Sequence, residues 1–299
     1  MSRVKNFIRF SRPHTIIGTS LSVLALYTLA LAYTDGGTGS WEVLLVAWVS
    51  CLGANIFIVG LNQLTDIDID RINKPYLPLA SGAYTVRTGQ LIIGIALLTA
   101  LVLAAYGGRF LLWTVGLSLL LGIAYSTPPV RLKRFHFWAA FCIIAVRGLI
   151  VNILLFLHFY DQLAGATVLP PLIGWLTFTI FIYGLIIAWF KDMPDTDGDK
   201  AYQIHTLSLK VGLRRVFWIG NSLLAGLFLL LAALPFLVEL EVMTLLFSLG
   251  HLTLLAGFLV LASRVTLSQK ASIMRYYQAV WGLFFLEYGL FAASGWLGG

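Results

Sequence analysis

The chain has 299 residues, of which 59% are hydrophobic and only 11% are charged, and its mean hydropathy is +0.89. Soluble domains carry about 25% charged residues, so this composition excludes a soluble enzyme, a disordered chain and a disulfide scaffold. The net charge of +7 then indicates loops facing an anionic membrane surface, or an anionic substrate, rather than nucleic acid.

Nine apolar runs have the length and composition of membrane-spanning helices, each of which needs roughly 20 residues. They cover residues 16–34, 43–61, 90–106, 110–126, 137–157, 171–190, 216–238, 242–262 and 276–297. The third and fourth runs are short and are separated by Gly107 and Gly108, which predicts a hairpin of two tilted or shortened helices. Several glycines inside the runs are predicted to let helices approach closely: Gly53, Gly60, Gly116 and Gly122. The sequence therefore predicts an all-α, polytopic membrane protein.

The distribution of charge predicts the orientation of the spans. All lysines and arginines except Arg109 and Arg147 fall in segments that nine spans would place on one side, and basic loops face the cytoplasm. The opposite side would carry acids instead: Asp35, Glu42, Asp161, Glu239 and Glu241. The N-terminus and the basic loops are thus expected in the cytoplasm. No small-residue cleavage site follows the first run, so we expect neither a cleaved signal nor a transit peptide.

The remaining acids concentrate in two short cytoplasmic segments, one after the second span and one after the sixth. The first contains Asp66, Asp68 and Asp70, and the second contains Asp192, Asp195, Asp197 and Asp199. An even number of crossings separates the two segments, so both should emerge on the same side.

The spacing within these segments indicates a metal site. Asn62, Asp66 and Asp70 are four residues apart and would share one face if the second span continued as a helix, and Asp195 and Asp199 have the same spacing. Like charges at this spacing repel, so they need a cation, and Mg²⁺ binds through one or two carboxylates plus substrate phosphates. The alternative is a solvated charge cluster at the end of a span. A calcium loop is excluded, because its required glycine and glutamate are replaced by Arg71 and Leu77.

Basic residues surround both acidic segments. They are Arg71 and Lys74 after the first segment, Arg131, Lys133 and Arg134 in an intervening loop, and Lys191 beside the second segment. Each could be only a topology signal. Together with bound metal they would form a clamp for a diphosphate. Acids, metal and cations at the mouth of an apolar bundle would suit the ionisation of a lipid diphosphate whose tail lies in the membrane.

These segments resemble the motifs of the UbiA-type intramembrane prenyltransferases. The first reads NQLTDIDIDR from Asn62 to Arg71 and matches the family pattern NxxxDxxxD, and the second reads DTDGD from Asp195 to Asp199 and matches DxxxD. The string YSTPPVRLKR, from Tyr125 to Arg134, is similar to the family's basic loop. The longer string NQLTDIDIDRINKPYLPLASG, with RPHTIIGT near the N-terminus and FKDMPD before the second motif, resembles the branch that prenylates homogentisate, in a bacterial, cyanobacterial form.

The resemblance implies a fold and a chemistry. The fold would be nine helices around a central cavity, built as a single domain from two motif-bearing halves at about 1–136 and 137–299. The reaction would be a Mg²⁺-dependent transfer of a phytyl group from phytyl diphosphate to homogentisate. Loss of the carboxyl group would give 2-methyl-6-phytylbenzoquinol, on the route to tocopherol. The membrane would be a bacterial plasma or thylakoid membrane, and the lipid bilayer itself is an expected partner, whereas nucleic acid is not.

The resemblance also implies roles for individual residues. The metal ligands would be Asn62, Asp66, Asp70, Asp192, Asp195 and Asp199. The catalytic groups would be Asp66, Asp70, Asp195, Asp199 and Lys133. The diphosphate would be bound by Asn62, Arg71, Lys74, Tyr125, Arg131, Lys133 and Lys191.

Two charged residues lie deep in spans and are functional candidates for that reason. Arg147 and Glu287 fall at nearly equal depth in the fifth and ninth spans, so the sequence predicts that they pair. The pair could be a structural bridge, or Arg147 or its neighbour Asn152 could help to shape the acceptor end of the cavity.

Other functions remain open at this point. Within the same family, the donor could be geranylgeranyl or solanesyl diphosphate, and the acceptor a naphthoate or chlorophyllide. A divalent-cation transporter is the alternative from another class. Transporters usually place their ligands near the bilayer midplane, whereas these acids lie at one surface.

Overall fold

The computed structural model describes residues 3–34, 38–191, 193 and 207–298. Within these ranges the secondary structure is helical and contains no β-strand, which confirms the all-α prediction. Helices suit such an apolar chain because each satisfies its backbone hydrogen bonds internally, as the hydrocarbon of a membrane requires.

The described helices are numbered here in chain order. Those of the first part of the chain are α1 (Arg3–Phe10), α2 (Pro13–Ala32), α3 (Trp41–Thr65), α4 (Ile67–Asn73), α5 (Val86–Gly107) and α6 (Arg109–Ser126). A 3₁₀ turn at Leu132–Arg134 precedes α7 (His136–Ile144), a π-helical segment (Ala145–Leu155) and α8 (Phe156–Ala164). The later helices are α9 (Pro171–Lys191), α10 (Leu207–Val211), α11 (Leu213–Ala233), α12 (Thr244–Ser263) and α13 (Lys270–Trp296), and a 3₁₀ turn at Leu234–Phe236 follows α11.

Eight helical segments in the described ranges are long and apolar enough to cross a membrane. They are Pro13–Ala32, Trp41–Thr65, Val86–Gly107, Arg109–Ser126, Phe137–Ala164, Pro171–Lys191, Leu213–Phe236 and Thr244–Ser263. The predicted count of nine spans is therefore one higher than the count in the described ranges. The ninth run does form a helix, α13, with 27 residues, but its polar and small residues, Glu287 among them, lower its apolarity.

One compact unit comprises Met1–Cys142 with Ile150–Val168. At its centre α3 packs closely against α5. A β-carbon added at Gly53 would lie 2.8 Å from the carbonyl oxygen of Ala96, and one at Gly60 would lie 2.5 Å from the side chain of Ile93. The predicted close approach is confirmed at these glycines and at Gly122, which faces Ile58.

At Gly116 the prediction of a close approach is wrong. A β-carbon there would meet nothing within 4 Å, so the helix surface around this glycine is open. Small size at a position in a span is therefore not enough to identify a helix contact.

The turn between α5 and α6 is the predicted hairpin. Gly108 adopts a φ of 100° between the two helices, a conformation that side chains with a β-carbon rarely adopt. At this end of the unit Tyr106 donates a hydrogen bond to Glu42, and Arg109 lies 3.4 Å from Asp161. The acids and the cation that the charge pattern predicted on the far side thus meet at one end.

The second unit comprises Ile143–Leu149 and Leu169–Gly299. Here α9, α11, α12 and α13 pack against one another around buried aromatic rings. Tyr183 makes edge-to-face contacts with Phe228 and Phe284, at centroid distances of 6.4 and 5.9 Å. Such pairs add to the packing energy beyond the area that they bury.

Candidate active site

The first acidic segment lies where one helix ends and another begins. α3 ends at Thr65, Asp66 joins the two helices with a φ of −120°, and α4 starts at Ile67. The second span therefore does not continue as one straight helix through the motif. The backbone N–H of Asp70 still donates to the carbonyl oxygen of Asp66 at 2.7 Å, so the two aspartates stay one turn apart.

Asp66 is bound by two cations from the predicted basic loop. Its Oδ1 lies 2.7 Å from Nη2 of Arg131, and its Oδ2 lies 2.6 Å from Nζ of Lys133. Lys133 also donates to Oγ1 of Thr65 at 3.1 Å. Burial lowers the pKa of Lys133, and its hydrogen bond to Asp66 opposes that shift. The structure thus brings the first motif together with the two loop cations that the sequence singled out.

Asp70 is the more deeply buried of the two motif carboxylates, with a side chain that is 6% exposed. Nζ of Lys74 lies 3.8 Å from its Oδ1, and its Oδ2 is buried without a hydrogen-bond partner in the described part of the chain. Burial raises the pKa of Asp70, and the positive charges of Lys74 and Arg12 oppose that shift. An unpartnered buried carboxylate oxygen is costly and is an available ligand for a hard cation.

Arg12 is a site residue that the sequence reasoning missed. Its Nη2 donates to Oδ1 of Asn62 at 3.3 Å, and Nδ2 of Asn62 reaches Oγ of Ser126 at 3.5 Å. Nearby, Gln63 donates to the carbonyl oxygen of Phe10 and ties the end of α1 to α3. Fifty residues separate Arg12 from Asn62, so no spacing rule could have joined them.

The backbone offers a further sign that Arg12 belongs to the site. Among described residues other than glycine, positive φ angles occur at Arg12 (52°) and Arg131 (37°). Both arginines reach the first motif. Strained conformations of this kind persist where the surrounding structure enforces them, and they cluster at functional sites.

Other predicted site residues lie in different surroundings. Arg71 pairs with Asp68 at 2.8 Å on the exposed side of α4, away from the buried carboxylate of Asp70. Tyr125 is half-buried in the last turn of α6, next to Ser126. Lys191 is the exposed last residue of α9, in the second unit. The second acidic motif, with Asp192, Asp195, Asp197 and Asp199, lies outside the described residues.

The described part of the site fits a magnesium ion in its donor chemistry. Asp66, Asp70 and Asn62 offer oxygen ligands, and one oxygen of Asp70 has no hydrogen-bond partner among the residues that the structure describes. No group of three or more histidines, cysteines or acids that could hold a metal is present in the described ranges. Two carboxylates nevertheless suffice for Mg²⁺ when phosphate supplies further oxygens.

A second polar cluster lies inside the second unit, where the sequence predicted a partner for Glu287. Glu287 is fully buried, lies 3.1 Å from Nε2 of His251 and accepts a hydrogen bond from Tyr183 at 3.4 Å. Arg147 instead lies over the ring of Trp281, 5.4 Å from its centroid. The prediction from equal depth therefore named neither His251 nor Tyr183, the two residues that contact Glu287 here.

Fold and site together define an integral membrane protein with paired acids and cations at the end of a span. The sequence pattern of the UbiA prenyltransferase family matches residues 23–287. The chain belongs to this family.

Relatives with curated names extend the comparison. Homogentisate phytyltransferase from Synechocystis sp. is 44% identical over 301 residues, which cover 99% of this chain and 97% of that protein. Homogentisate phytyltransferase 1 from Arabidopsis thaliana is 41% identical, over 94% of this chain and 73% of that protein. A homogentisate solanesyltransferase from Arabidopsis thaliana is 36% identical over 95% of this chain and 75% of its own length.

Solved structures show the same fold. A UbiA homolog from Archaeoglobus fulgidus, bound to GPP and Mg²⁺, matches 96% of this chain and 99% of its own with a TM-score of 0.64. Its sequence is only 18% identical, so this likeness concerns the fold. None of these proteins is a transporter, and nothing supports the transport alternative.

Proposed function

We propose that this protein transfers a phytyl group from phytyl diphosphate to homogentisate. The C–O bond of the allylic diphosphate breaks and a C–C bond to the aromatic ring forms. Carbon dioxide and diphosphate leave, and the product is 2-methyl-6-phytylbenzoquinol, an intermediate of tocopherol biosynthesis. The observation that carries this proposal is the 44% identity over nearly the whole of both chains to a homogentisate phytyltransferase.

The metal in this proposal is Mg²⁺. It would be held by Asn62, Asp66 and Asp70 of the first motif, together with Asp192, Asp195 and Asp199. When bound, it neutralises the diphosphate so that this group becomes a better leaving group. The buried, unpartnered oxygen of Asp70 supports this assignment.

The cations of the site would hold the diphosphate. Lys133 and Arg131 already converge on Asp66, and Lys74 stands beside Asp70. Arg71, Lys191 and Tyr125 are further residues that we propose for binding the diphosphate. Positive charges aimed at the departing oxygens stabilise the negative charge that develops as the C–O bond breaks.

The apolar spans would protect the allylic cation. Water would convert that cation into an alcohol, whereas a dry site lets the electron-rich ring of homogentisate react instead. Aromatic faces can also stabilise a developing cation. This need explains why such chemistry would be placed at the end of membrane helices.

Related donors and acceptors remain outcomes of the test. The solanesyltransferase relative makes solanesyl diphosphate the specific alternative donor, and geranylgeranyl diphosphate is a shorter one. A naphthoate or chlorophyllide acceptor would keep the family chemistry and replace homogentisate. The proposed location is a cyanobacterial plasma or thylakoid membrane, with the N-terminus and the motif loops in the cytoplasm.

A product analysis tests this proposal. Membranes from cells expressing the protein are incubated with labelled homogentisate, Mg²⁺ and one of three donors: phytyl, geranylgeranyl or solanesyl diphosphate. Control membranes come from cells that carry the empty vector. Each donor would give a quinol that carries its own tail, identified by mass. We expect the product to form fastest with the phytyl donor, as 2-methyl-6-phytylbenzoquinol. Preference for another donor would change the assigned tail, and absence of product with every donor would refute homogentisate as the acceptor.

A further inference from the structure

The carboxylate of Asp66 has both oxygens engaged by different cations. Arg131 binds Oδ1 at 2.7 Å and Lys133 binds Oδ2 at 2.6 Å. The side chains of Asp66 and Lys133 are only 13% and 12% exposed. Short bonds between charged groups are among the stronger hydrogen bonds in proteins, and at this burial water screens them poorly.

Asp70 has the opposite character, although it lies one turn away. Its nearest cation, Lys74, is 3.8 Å distant, and its Oδ2 has no hydrogen-bond partner in the described ranges. A divalent cation can therefore bind this oxygen of Asp70 without displacing a hydrogen-bond partner from it. To use Asp66 as well, the metal must displace Lys133 or Arg131 from an oxygen.

We infer that Lys133 and Arg131 are exchangeable counter-ions of Asp66, which make the binding of divalent metal and of diphosphate depend on each other. This inference rests on the proposed function, since it takes a metal and a diphosphate as the ligands of the site. A metal on Asp66 releases the two cations, and the diphosphate receives them.

Each ligand alone would leave a buried charge without a partner. Metal alone would strand Lys133 in a place where little water reaches it, and diphosphate alone would draw Lys133 away and strand Asp66. Removing one partner from a buried ion pair is strongly unfavourable. With both ligands present every charge is paired. By linkage, each ligand then raises the affinity for the other by the same factor.

The loop that carries the two cations holds both of them close to the end of α3. Arg131 sits in a left-handed conformation immediately before the 3₁₀ turn Leu132–Arg134. The hydrogen bond from Lys133 to Thr65 would keep the ammonium at the end of α3 while it leaves Asp66. Its new partner therefore needs to lie only a short distance from the old one.

The test measures metal binding without any turnover. Purified full-length protein in detergent is titrated with Mn²⁺, used in place of Mg²⁺, and the free ion is followed by electron paramagnetic resonance. The variant is Lys133→Met. The control is Arg109→Met, which removes a cation that pairs with Asp161 near the turn between α5 and α6 and that has no part in the site.

The exchange predicts opposite effects on the two ligands. Lys133→Met should bind Mn²⁺ alone at least about tenfold more tightly than the unaltered protein, which corresponds to about 1.4 kcal/mol. It should bind a non-reactive prenyl thiodiphosphate in saturating Mg²⁺ about tenfold more weakly. Arg109→Met should change neither value. A general loss of structure would weaken the binding of both ligands, so it could not produce tighter binding of one and weaker binding of the other.

A second substitution locates the effect at Asp66. The gain in Mn²⁺ affinity should disappear when Asp66→Asn is combined with Lys133→Met, because the released carboxylate is then gone. Unchanged or weaker Mn²⁺ binding in Lys133→Met would overturn the exchange and leave the proposed function standing. If the unaltered protein bound neither Mn²⁺ nor thiodiphosphate, even when both are supplied, the proposed function would fall with it.

Discussion

The buried cluster of His251, Glu287 and Tyr183 offers a sharp test of the packing in the second unit. Nδ1 of His251 lies 2.6 Å from the carbonyl oxygen of Phe247. A carbonyl only accepts, so Nδ1 carries a hydrogen. Nε2 of His251 faces Oε2 of Glu287 at 3.1 Å, and Oε1 of Glu287 accepts a hydrogen bond from Tyr183.

The perturbation is His251→Leu, which leaves a fully buried carboxyl oxygen without its partner. Removing one member of a buried pair costs about 3–5 kcal/mol. For a large domain, 1 kcal/mol shifts the melting temperature by roughly 2–4 °C. We therefore expect thermal unfolding in detergent to shift downward by about 6–20 °C.

Glu287→Gln provides the contrasting variant. The amide can donate to Nε2 of His251 and accept from Tyr183, so every hydrogen bond is kept and the expected cost is about 1 kcal/mol or less. Thr253→Val, on the exposed side of α12, is the control. Combining His251→Leu with Glu287→Leu should cost much less than the two single changes added together.

The reasoning would be refuted by either of two results. One is a shift below 2 °C for His251→Leu, which would mean that the pair contributes no net stability. The other is a larger loss for Glu287→Gln than for His251→Leu. That result would show that the carboxyl group itself, rather than its hydrogen bonds, is required.

Three other expectations follow from the same structure. Gly53→Ala places a methyl group 2.8 Å from the carbonyl oxygen of Ala96 and should lower stability by about 1–3 kcal/mol. Gly116→Ala should instead raise stability by up to about 1 kcal/mol. Equal shifts of the melting temperature in the two variants would contradict this expectation. Arg12→Met removes the donor to Asn62 and should lower kcat/KM for the prenyl donor about tenfold, and unchanged kinetics would exclude Arg12 from the site. Chelation with EDTA should stop product formation and added Mg²⁺ should restore it, while activity that survives chelation would argue against the metal.

Local patterns in the sequence predicted most of the fold. Runs of about 20 apolar residues form helices in a membrane, because a helix satisfies all its backbone hydrogen bonds within the segment and the hydrocarbon offers none. The break at Asp66 was harder to foresee, since the spacing of Asn62, Asp66 and Asp70 suits a continuous helix. The ninth span shows another limit. α13 buries Ser272, Glu287 and Ser294, and an average of hydropathy along the sequence counts such residues against a membrane span.

The candidate site was predictable where its residues are close in sequence or carry a motif. Lys133 and Arg131 were found from the composition of their loop. Arg12 could not be found, because its contact with Asn62 joins two residues that are fifty positions apart in the sequence. Equal depth in the membrane suggested that Arg147 would pair with Glu287, but depth says nothing about which way a helix face points. In the structure, His251 is the residue that pairs with Glu287.

The stoichiometry of the reaction tests the central claim most directly. Homogentisate labelled in its carboxyl group is supplied with phytyl diphosphate and Mg²⁺, and three products are counted together: carbon dioxide, diphosphate and the prenylated quinol. We expect equal amounts of all three from the unaltered protein. From Asp66→Asn, purified in the same yield, we expect none. Unequal amounts, or full turnover by the Asp66→Asn variant, would contradict the account.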